Sequence, residues 1–353
     1  MRDRHFLLVL VAGGAAGVLG VLLALWGNPQ NSGICVSCFI ENAAGAVGLH
    51  DNERMQYLRP ELIGFVLGAL GCSLVFKEFQ SRGGSSPMAR LVAGLFLIVG
   101  SAVFIGCPIK LFLRLTAGDL SALSRVVGPV AGVWLGLQGL ARGIDLGRSR
   151  SERGGSGLMV PVLFLLLLVF LLVRPSFILF SERGSAAQHA PYLISLGVGL
   201  LLGGLAQRSR FCITGSVRDT LLMGRRSPLF WGLCVFVGGA LVTSLVTGQF
   251  DLGLYGQPGA HSEYLWSFLG MLLVGWLSVL IGGCPFRQLV KAGEGDADAG
   301  LVVVGMLLGG GLVQSWGIAA TAAGVSLAGK AAVLVGLAFI MVLSLFSRER
   351  ASD

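Results

Sequence analysis

The sequence has little charge for its length. Only 12% of its 353 residues are Asp, Glu, Lys or Arg, whereas 54% are hydrophobic. Soluble domains carry about 25% charged residues. Long apolar stretches recur along almost the whole chain, and about 20 such residues are enough to cross a bilayer as a helix. The scarcity of charge therefore excludes an ordinary soluble domain and predicts an all-α polytopic membrane protein embedded in a lipid bilayer.

Several motifs of soluble proteins are also missing. The four histidines are scattered, only one Cys-x-x-Cys occurs, and there is no GxxxxGK[ST] loop. The sequence therefore predicts no metal site, no resident cofactor and no ATP-driven motor in this chain. Seven cysteines in apolar surroundings are too few for a secreted disulfide framework. The net charge of +8 predicts no nucleic-acid binding, because the cations lie at the ends of apolar stretches.

Ten membrane-spanning helices are predicted, and the distribution of cations orients them. With the N-terminus inside, 18 of the 26 Lys and Arg residues fall in inner segments, which predicts cytoplasmic termini. We expect the membrane to be a bacterial inner (plasma) membrane. No clear cleavage site follows the first apolar run, so we expect a retained helix. The spans lie at about 6–26, 61–77, 90–106, 126–144, 158–180, 191–206, 229–247, 265–282, 300–318 and 329–347.

The most informative pattern is an internal repeat. GCPIKLFLRL (106–115) and GCPFRQLVKA (283–292) share Gly-Cys-Pro followed by two cations, and the shift that takes Cys107 onto Cys284 also takes Cys35 onto Cys212. We call this shift the repeat offset. One ungapped offset that holds over such a distance is hard to ascribe to chance. Each half contains five spans, and an odd number makes the second half enter from the opposite side. The sequence therefore predicts two inverted repeats, 1–180 and 181–353.

Polar, helix-breaking stretches interrupt the apolar pattern twice in each half, at 27–48 and 107–119, then at 207–224 and 284–298. Irregular backbone at membrane depth is tolerated only where protein buries it or where it lines a wet cavity. Proline directly after Cys107 and Cys284 suits the first turn of a helix, where the dipole favours anions. One Gly-Cys-Pro usually just ends a helix, but two symmetric copies favour a site built from re-entrant or broken helices.

The CVSC sequence at 35–38 leaves three possibilities: a redox dithiol, half of a metal site, or one functional cysteine beside a bystander. The repeat aligns Cys35, not Cys38, with Cys212, which favours Cys35 as the functional member. Cys72 and Cys234 lie inside predicted spans, and we expect both to be inert packing residues.

Cations accumulate beside these cysteines. Most arginines at span ends anchor the topology, but the accumulation favours attraction of an anion. Lys110, Arg210 and Arg287 are the candidate anion ligands. Further cations lie in or beside the same stretches: Arg114, Arg208, Arg218 and Lys291.

Acidic residues mark two further features. Asp119 and Asp296 are candidates for proton coupling and equally for capping short helices. Glu41 aligns with Arg218, so this pair departs from the symmetry and is expected to distinguish the two entrances.

The motifs QRSRFCITG (207–215), GCPIK and GCPFRQ resemble the YeeE/YedE family of sulfur-transport membrane proteins, and GNPQNSGICVSCFIEN (27–42) resembles its selenium-metabolism YedE branch. The resemblance implies an hourglass-like inverted-repeat fold whose cysteines bind and relay a small anion without covalent transfer. It also implies thiosulfate or a selenium compound as cargo, and a TusA-like sulfur carrier as cytoplasmic partner.

Carried over by motif, the substrate-binding cysteines are Cys107, Cys212, Cys284 and either Cys35 or Cys38, and no residue is expected to be catalytic. CVSC departs from the single cysteine of the thiosulfate transporters, which leaves the cargo open. An alternative from the enzyme class is a quinone-linked membrane thiol–disulfide oxidoreductase that uses CVSC. A third is a sulfur-responsive scaffold whose cysteines only pack or sense.

Overall fold

The computed structural model describes residues 2–147, 149–152 and 155–349. The inner cations Arg148, Arg153 and Arg350 lie outside this part of the chain. Within it, one two-stranded antiparallel sheet pairs β1 (Arg82–Gly83) with β2 (Arg150–Ser151). The α-helices are α1 (Arg2–Leu25), α2 (Val36–Ala46), α3 (Pro60–Val75), α4 (Pro87–Phe104), α5 (Pro108–Thr116), α6 (Leu120–Arg125), α7 (Val127–Ala141), α8 (Met159–Val173), α9 (Tyr192–Ser209), α10 (Ile213–Met223), α11 (Pro228–Val246), α12 (Tyr264–Ile281), α13 (Pro285–Gly293), α14 (Ala297–Ser315) and α15 (Leu327–Glu349).

A helix occupies each of the ten predicted spans. Eight segments are long and apolar enough to cross a membrane, which confirms the prediction of an all-α, multi-pass membrane protein. Two of the ten predicted spans, those occupied by α3 and α9, are not among these eight segments. α3 is apolar but has only 16 residues, and the apolar part of α9 is shortened by the polar end Gln207-Arg208-Ser209.

Several elements recur at the repeat offset. The helix pairs α2 and α10, α4 and α12, and α5 and α13 match at both ends. Helix contacts recur as well, because Gly128 of α7 packs on the carbonyl oxygen of Phe268 in α12, and Gly305 of α14 packs on that of Leu91 in α4. A two-fold axis between related halves would generate this exchange of partners. The division into two inverted repeats, 1–180 and 181–353, remains a proposal.

Glycine sets the distance between the central helices α4 and α12. A Cβ atom at Gly100 would lie 2.6 Å from the carbonyl oxygen of Gly270, and one at Gly270 would lie 2.7 Å from that of Gly100. Both distances are too short for any larger residue, so the two backbones touch here. Small residues serve the same purpose wherever membrane helices approach closely.

The short helices α2, α5 and α13 lie in the interior of the bundle. Cys38 is the one residue of α2 that is not buried, and Lys291 is the one such residue of α13. α10 buries only its first two turns. The polar segments that interrupt the apolar pattern therefore fold into short helices enclosed by the long ones.

Candidate functional site

Four short helices begin immediately after a cysteine. Cys35, Cys107, Cys212 and Cys284 are the N-cap residues of α2, α5, α10 and α13, and each has an extended backbone. Pro108 and Pro285 open α5 and α13, as expected from the missing N–H of proline. The first N–H groups of a helix have no partner within it, and they lie at its positive end. Each thiol is therefore placed where a helix favours negative charge.

The glycine before each Gly-Cys-Pro cysteine makes room for a cation. A Cβ atom at Gly106 would lie 2.5 Å from Cδ of Lys110, and one at Gly283 would lie 2.6 Å from Cγ of Arg287. The stems of Lys110 and Arg287 therefore fold back over the turn that holds the cysteine. In both copies the glycine therefore accommodates the stem of the cation four residues later.

Five thiols lie in a row. Cys38 Sγ lies 3.0 Å from Cys35 Sγ, and Cys284 Sγ lies 3.3 Å from Cys212 Sγ. Cys107, the buried N-cap of α5, neighbours Cys35 of the first pair and Cys284 of the second, and we infer that it stands between the two pairs. All five cysteines are free. The inferred order along the row is Cys38, Cys35, Cys107, Cys284 and Cys212.

Two hydroxyl groups accompany the row, and the sequence patterns did not single them out. Ser37 Oγ lies 3.5 Å from Cys35 Sγ, and Thr214 Oγ1 lies 3.4 Å from Cys212 Sγ. Both stand two residues after the aligned cysteines, so the repeat offset could have identified them as a pair.

Two cavities approach the row from opposite ends of α1. The Cys38 cavity, of about 860 Å³, is lined by Cys38 and by Gln30, which follows the C-terminal end of α1. The Cys212 cavity, of about 340 Å³, is lined by Cys212 and by His5, at the N-terminal end of α1. A helix rises about 1.5 Å per residue. Because α1 has 24 residues, the cavities belong to opposite faces of the molecule.

Lys110 lies in the Cys38 cavity without a charged partner. Its side chain is 4% exposed and lines the cavity, and its ammonium group makes no hydrogen bond or ion pair with any residue that the structure describes. The loop between α11 and α12 covers it, since a Cβ atom at Gly259 would lie 2.7 Å from its Nζ. A buried cation without a partner is costly in free energy, so this cavity is suited to an anion.

Arg59 also lines the Cys38 cavity. The repeat offset could not identify it as a candidate, because the position aligned with it is Phe236. Its guanidinium donates to Asn42 Oδ1 at 2.8 Å and to the carbonyl oxygen of Ser185 at 2.9 Å, and it packs on the ring of Phe39. With its donors occupied, Arg59 contributes positive charge and ties the loop before α9 to α2.

The Cys212 cavity holds a cluster of arginines around one carboxylate. Glu294 is buried and pairs with Arg210 at 2.6 Å, with Arg287 at 3.0 Å and with Arg82 at 3.5 Å. Arg210 and Arg287 line the cavity. The predicted ligands Arg210 and Arg287 are thus brought together by Glu294, which the sequence patterns did not single out. Three guanidinium groups on one carboxylate leave the cluster positive.

Asp119 and Asp296 act as helix caps and ion-pair partners. Each accepts a hydrogen bond from the backbone N–H three residues later, at the start of α6 and of α14. Asp119 also pairs with Arg114 at 2.6 Å, and Asp296 pairs with Lys291 at 3.3 Å. Neither aspartate lines the Cys38 or the Cys212 cavity, so capping is the alternative that the structure shows.

The remaining predicted residues lie away from the row. Arg208 pairs with Glu78, and a hydrogen bond from Gln207 together with this pair lowers the pKa of Glu78. Cys72 is partly exposed on α3, and Cys234 is exposed on α11 rather than packed in the interior. Arg218 pairs with Asp219 at 2.7 Å beside the Cys212 cavity.

Comparison with known proteins gives partial matches. No protein-family model matches the chain. Over 103 residues, or 29% of the chain, it is 34% identical to the thiosulfate transporter TsuA of Escherichia coli (strain K12). It is 27% identical over 128 residues to the probable transporter YedE of Salmonella typhimurium, and 26% identical over 121 residues to that of Escherichia coli. These matches support assignment to the YeeE/YedE family. They cover 28%, 30% and 27% of the relatives' own lengths.

The eight predicted substrate-binding residues fall into three groups. One group lines the Cys38 cavity, one lines the Cys212 cavity, and the third lies buried between them. Among the described residues, no group of three or more His, Cys, Asp or Glu side chains is placed to hold a metal ion. The groups are Cys38 and Lys110; Cys212, Arg210 and Arg287; and Cys35, Cys107 and Cys284.

Proposed function

We propose that the chain imports a small sulfur- or selenium-containing anion, with thiosulfate as the first candidate, along a path lined by cysteines. The observation that carries this proposal is the row of five thiols between two cavities on opposite faces of the molecule. On this proposal the chain is a transporter and not an enzyme, and no covalent bond forms between thiol and cargo.

The chemistry of the row suits a soft anion. A thiol is a weak donor and sulfur a weak acceptor, so each contact with the terminal sulfur or selenium of an anion is weak. Conduction requires several sites of this kind in series, because one tight site would retain the ion. Four helix N-termini add unpaired N–H groups at the same place. The row can thus offer an anion successive, similar environments.

Fixed positive charge stands at both ends of the row. Lys110 would receive the anion in the Cys38 cavity, where it has no other described partner. Arg210 and Arg287 would receive it in the Cys212 cavity, where Glu294 reduces but does not cancel their charge. The partial neutralisation weakens anion binding at that end, which favours release.

The proposed orientation follows from the charge of the loops. The excess of cations favours a cytoplasmic position for both termini and for the Cys212 cavity in a bacterial inner membrane, and the two proposed inverted halves would pack about the row. A TusA-like sulfur carrier that accepts the released cargo is the proposed cytoplasmic partner. The resemblance of GNPQNSGICVSCFIEN (27–42) to the selenium-metabolism YedE branch keeps a selenium compound as the second candidate cargo.

The test is uptake of thiosulfate and of selenite into cells that lack their own importers. Changing Cys107, Cys212 or Cys284 singly to Ala is expected to abolish or strongly reduce uptake. Cys234→Ala is the matched control, because that thiol is exposed on α11 and lines neither cavity. Wild-type uptake that survives all three substitutions in the row would rule out the proposed path.

The 3.0 Å contact between Cys35 and Cys38 favours one second candidate, a quinone-linked thiol–disulfide oxidoreductase. In that reaction the two thiols form a disulfide, and their two electrons and two protons reduce a quinone to the quinol. Two results together would establish this alternative. The purified wild type would reduce quinone and a Cys35→Ala, Cys38→Ala double variant would not, and the wild type would take up no anion.

A further inference from the structure

A buried carboxylate shares the Cys38 cavity with the cation and the thiol. Glu41 follows Cys38 by one turn on α2, and residues three apart in a helix are neighbours on one face. The side chain of Glu41 is 4% exposed and lines the cavity together with Cys38 and Lys110. The cavity proposed to receive an anion therefore contains an acidic group.

Glu41 has a neutral partner and no ion pair among the described residues. Gln314 of α14 donates its Nε2 hydrogen to Glu41 Oε2 at 2.5 Å, and Asn52 in turn donates to Gln314 at 2.8 Å. The other oxygen, Oε1, has no described hydrogen-bond partner. This differs from Asp119, Asp296 and Glu294, each of which pairs with at least one cation within the structure.

The other ionisable groups around Glu41 come from several elements. Cys38 lines the cavity and Cys35 is buried next to it, Lys110 comes from α5, and Arg54 and Arg59 lie in the loop before α3. His50 contacts the Glu41 backbone, since its Nε2 lies 3.0 Å from the carbonyl oxygen. Arg54 is exposed to solvent and the donors of Arg59 are occupied, so Lys110 is the buried cation there that both Glu41 and an incoming anion could use.

An ionised Glu41 and an anion would compete for that cation. Removal from water penalises a charged carboxylate, and a second negative charge nearby adds to the penalty. Binding of the anion therefore favours the neutral form of Glu41. The linkage is reciprocal, so a proton on Glu41 strengthens anion binding by the same factor.

We propose that the Cys38 cavity takes up its anion together with a proton, and that the proton is held by Glu41. This inference rests on the proposed anion transport. The proton comes from water in the cavity and occupies a carboxyl oxygen, and it is released when the anion leaves. In the Cys212 cavity the position aligned with Glu41 is Arg218. The acid that lines this cavity, Asp219, is paired with Arg218 and so differs from Glu41, which has no ion pair among the described residues.

The test is calorimetric titration of the purified full chain with sodium thiosulfate in two buffers of different ionisation enthalpy. The difference in heat between the two buffers gives the number of protons taken up for each anion bound. At a pH where Glu41 is ionised in the free protein, about one proton is expected for each thiosulfate. Over that range the affinity of the wild type falls by up to about tenfold per pH unit. Glu41→Gln is expected to bind thiosulfate with no proton uptake and no such decline.

Glu53→Gln is the matched control, because Glu53 is an exposed acid of the loop before α3 and does not line the cavity. It should behave as the wild type does. Gln314→Leu supplies an independent variant, since loss of the donor to Glu41 should keep affinity high to higher pH than in the wild type.

The outcomes separate the inference from the proposed function. Thiosulfate binding without proton uptake by the wild type would overturn the inference and leave the transport proposal standing. Proton uptake that persists in Glu41→Gln would overturn the assignment to Glu41. If neither thiosulfate nor selenite binds or is taken up, the proposed function and the inference fall together.

Discussion

At the scale of single residues, Lys110 and Arg287 show how equivalent positions acquire different electrostatic settings. Each follows a Gly-Cys-Pro cysteine by three residues and folds back over the preceding glycine. Arg287 pairs with the buried Glu294 at 3.0 Å, whereas Lys110 has no described partner. Lys110 is therefore the residue whose charge is best placed to act on a ligand.

Lys110→Met is expected to weaken thiosulfate binding by about tenfold or more, because hydrogen bonds to charged groups contribute about 1.5–3 kcal/mol. The same variant should unfold at a higher temperature, since it removes a buried cation that has no partner. Calorimetric titration and thermal unfolding in detergent measure the two effects. Lys77→Met is the control, because Lys77 is an exposed lysine after α3, and it should change neither the affinity nor the unfolding temperature. An unaltered affinity in Lys110→Met would contradict the proposed role of Lys110.

At the scale of elements, each short helix is set by the residues at its start. Gly-Cys-Pro supplies a glycine for the turn, a cysteine as N-cap and a proline at the first helical position. Asp119 and Asp296 then cap the helices that follow α5 and α13. These local preferences explain why α5 and α13 have equal lengths and equivalent bounds.

Gly106→Ala is expected to destabilise the protein by about 1–3 kcal/mol, because the new methyl group would overlap the Lys110 stem and force it or the turn to shift. Thermal unfolding measures the loss, and thiosulfate binding should weaken as Lys110 is displaced. In Gly71→Ala the new methyl group meets nothing within 4 Å, so this control should unfold as the wild type does. Equal stability of the two variants would show that the turn tolerates a side chain.

The contact between the ends of α3 and α9 should depend on pH through Glu78. Hydrogen bonding by Gln207 and pairing with Arg208 lower the pKa of Glu78 in the folded state. The resulting stability is present above the unfolded pKa of the carboxyl group, and it is lost as pH falls through the lower folded pKa. Thermal unfolding of the wild type over the acid range should show this loss. The Glu78→Gln variant should be less stable than the wild type at neutral pH, and its unfolding temperature should fall less as the pH is lowered. Identical pH profiles for the two proteins would exclude the contribution.

At the scale of the whole molecule, the Cys38 cavity and the Cys212 cavity lie at opposite ends of α1. Gln30 lines the Cys38 cavity, and Arg210 lines the Cys212 cavity with an exposed side chain. In a background without the native cysteines, a membrane-impermeant maleimide should label Gln30→Cys from one face of the membrane and Arg210→Cys from the other. Labelling of both from the same side would contradict the opposed arrangement.

Part of the site was accessible from the sequence, and part required the packed bundle. The repeat offset identifies four of the five thiols of the row, and the positions of the cations follow from the same motif. Glu294 and Arg59 could not be found in this way, because neither has a charged counterpart at that offset. Their roles depend on partners that are distant along the chain and meet only when the helices pack.

The sequence by itself determined the apolar helices, the short helices at the polar interruptions and the capping residues at their starts. Each of these depends on local hydropathy or on hydrogen bonds between chain neighbours. Only the tertiary structure decided that Cys212 lies 3.3 Å from Cys284, far along the chain. It also decided that Glu294 pairs with Arg287 whereas no described residue pairs with Lys110. Such contacts depend on how closely glycine-lined helices approach one another, which no local pattern of residues specifies.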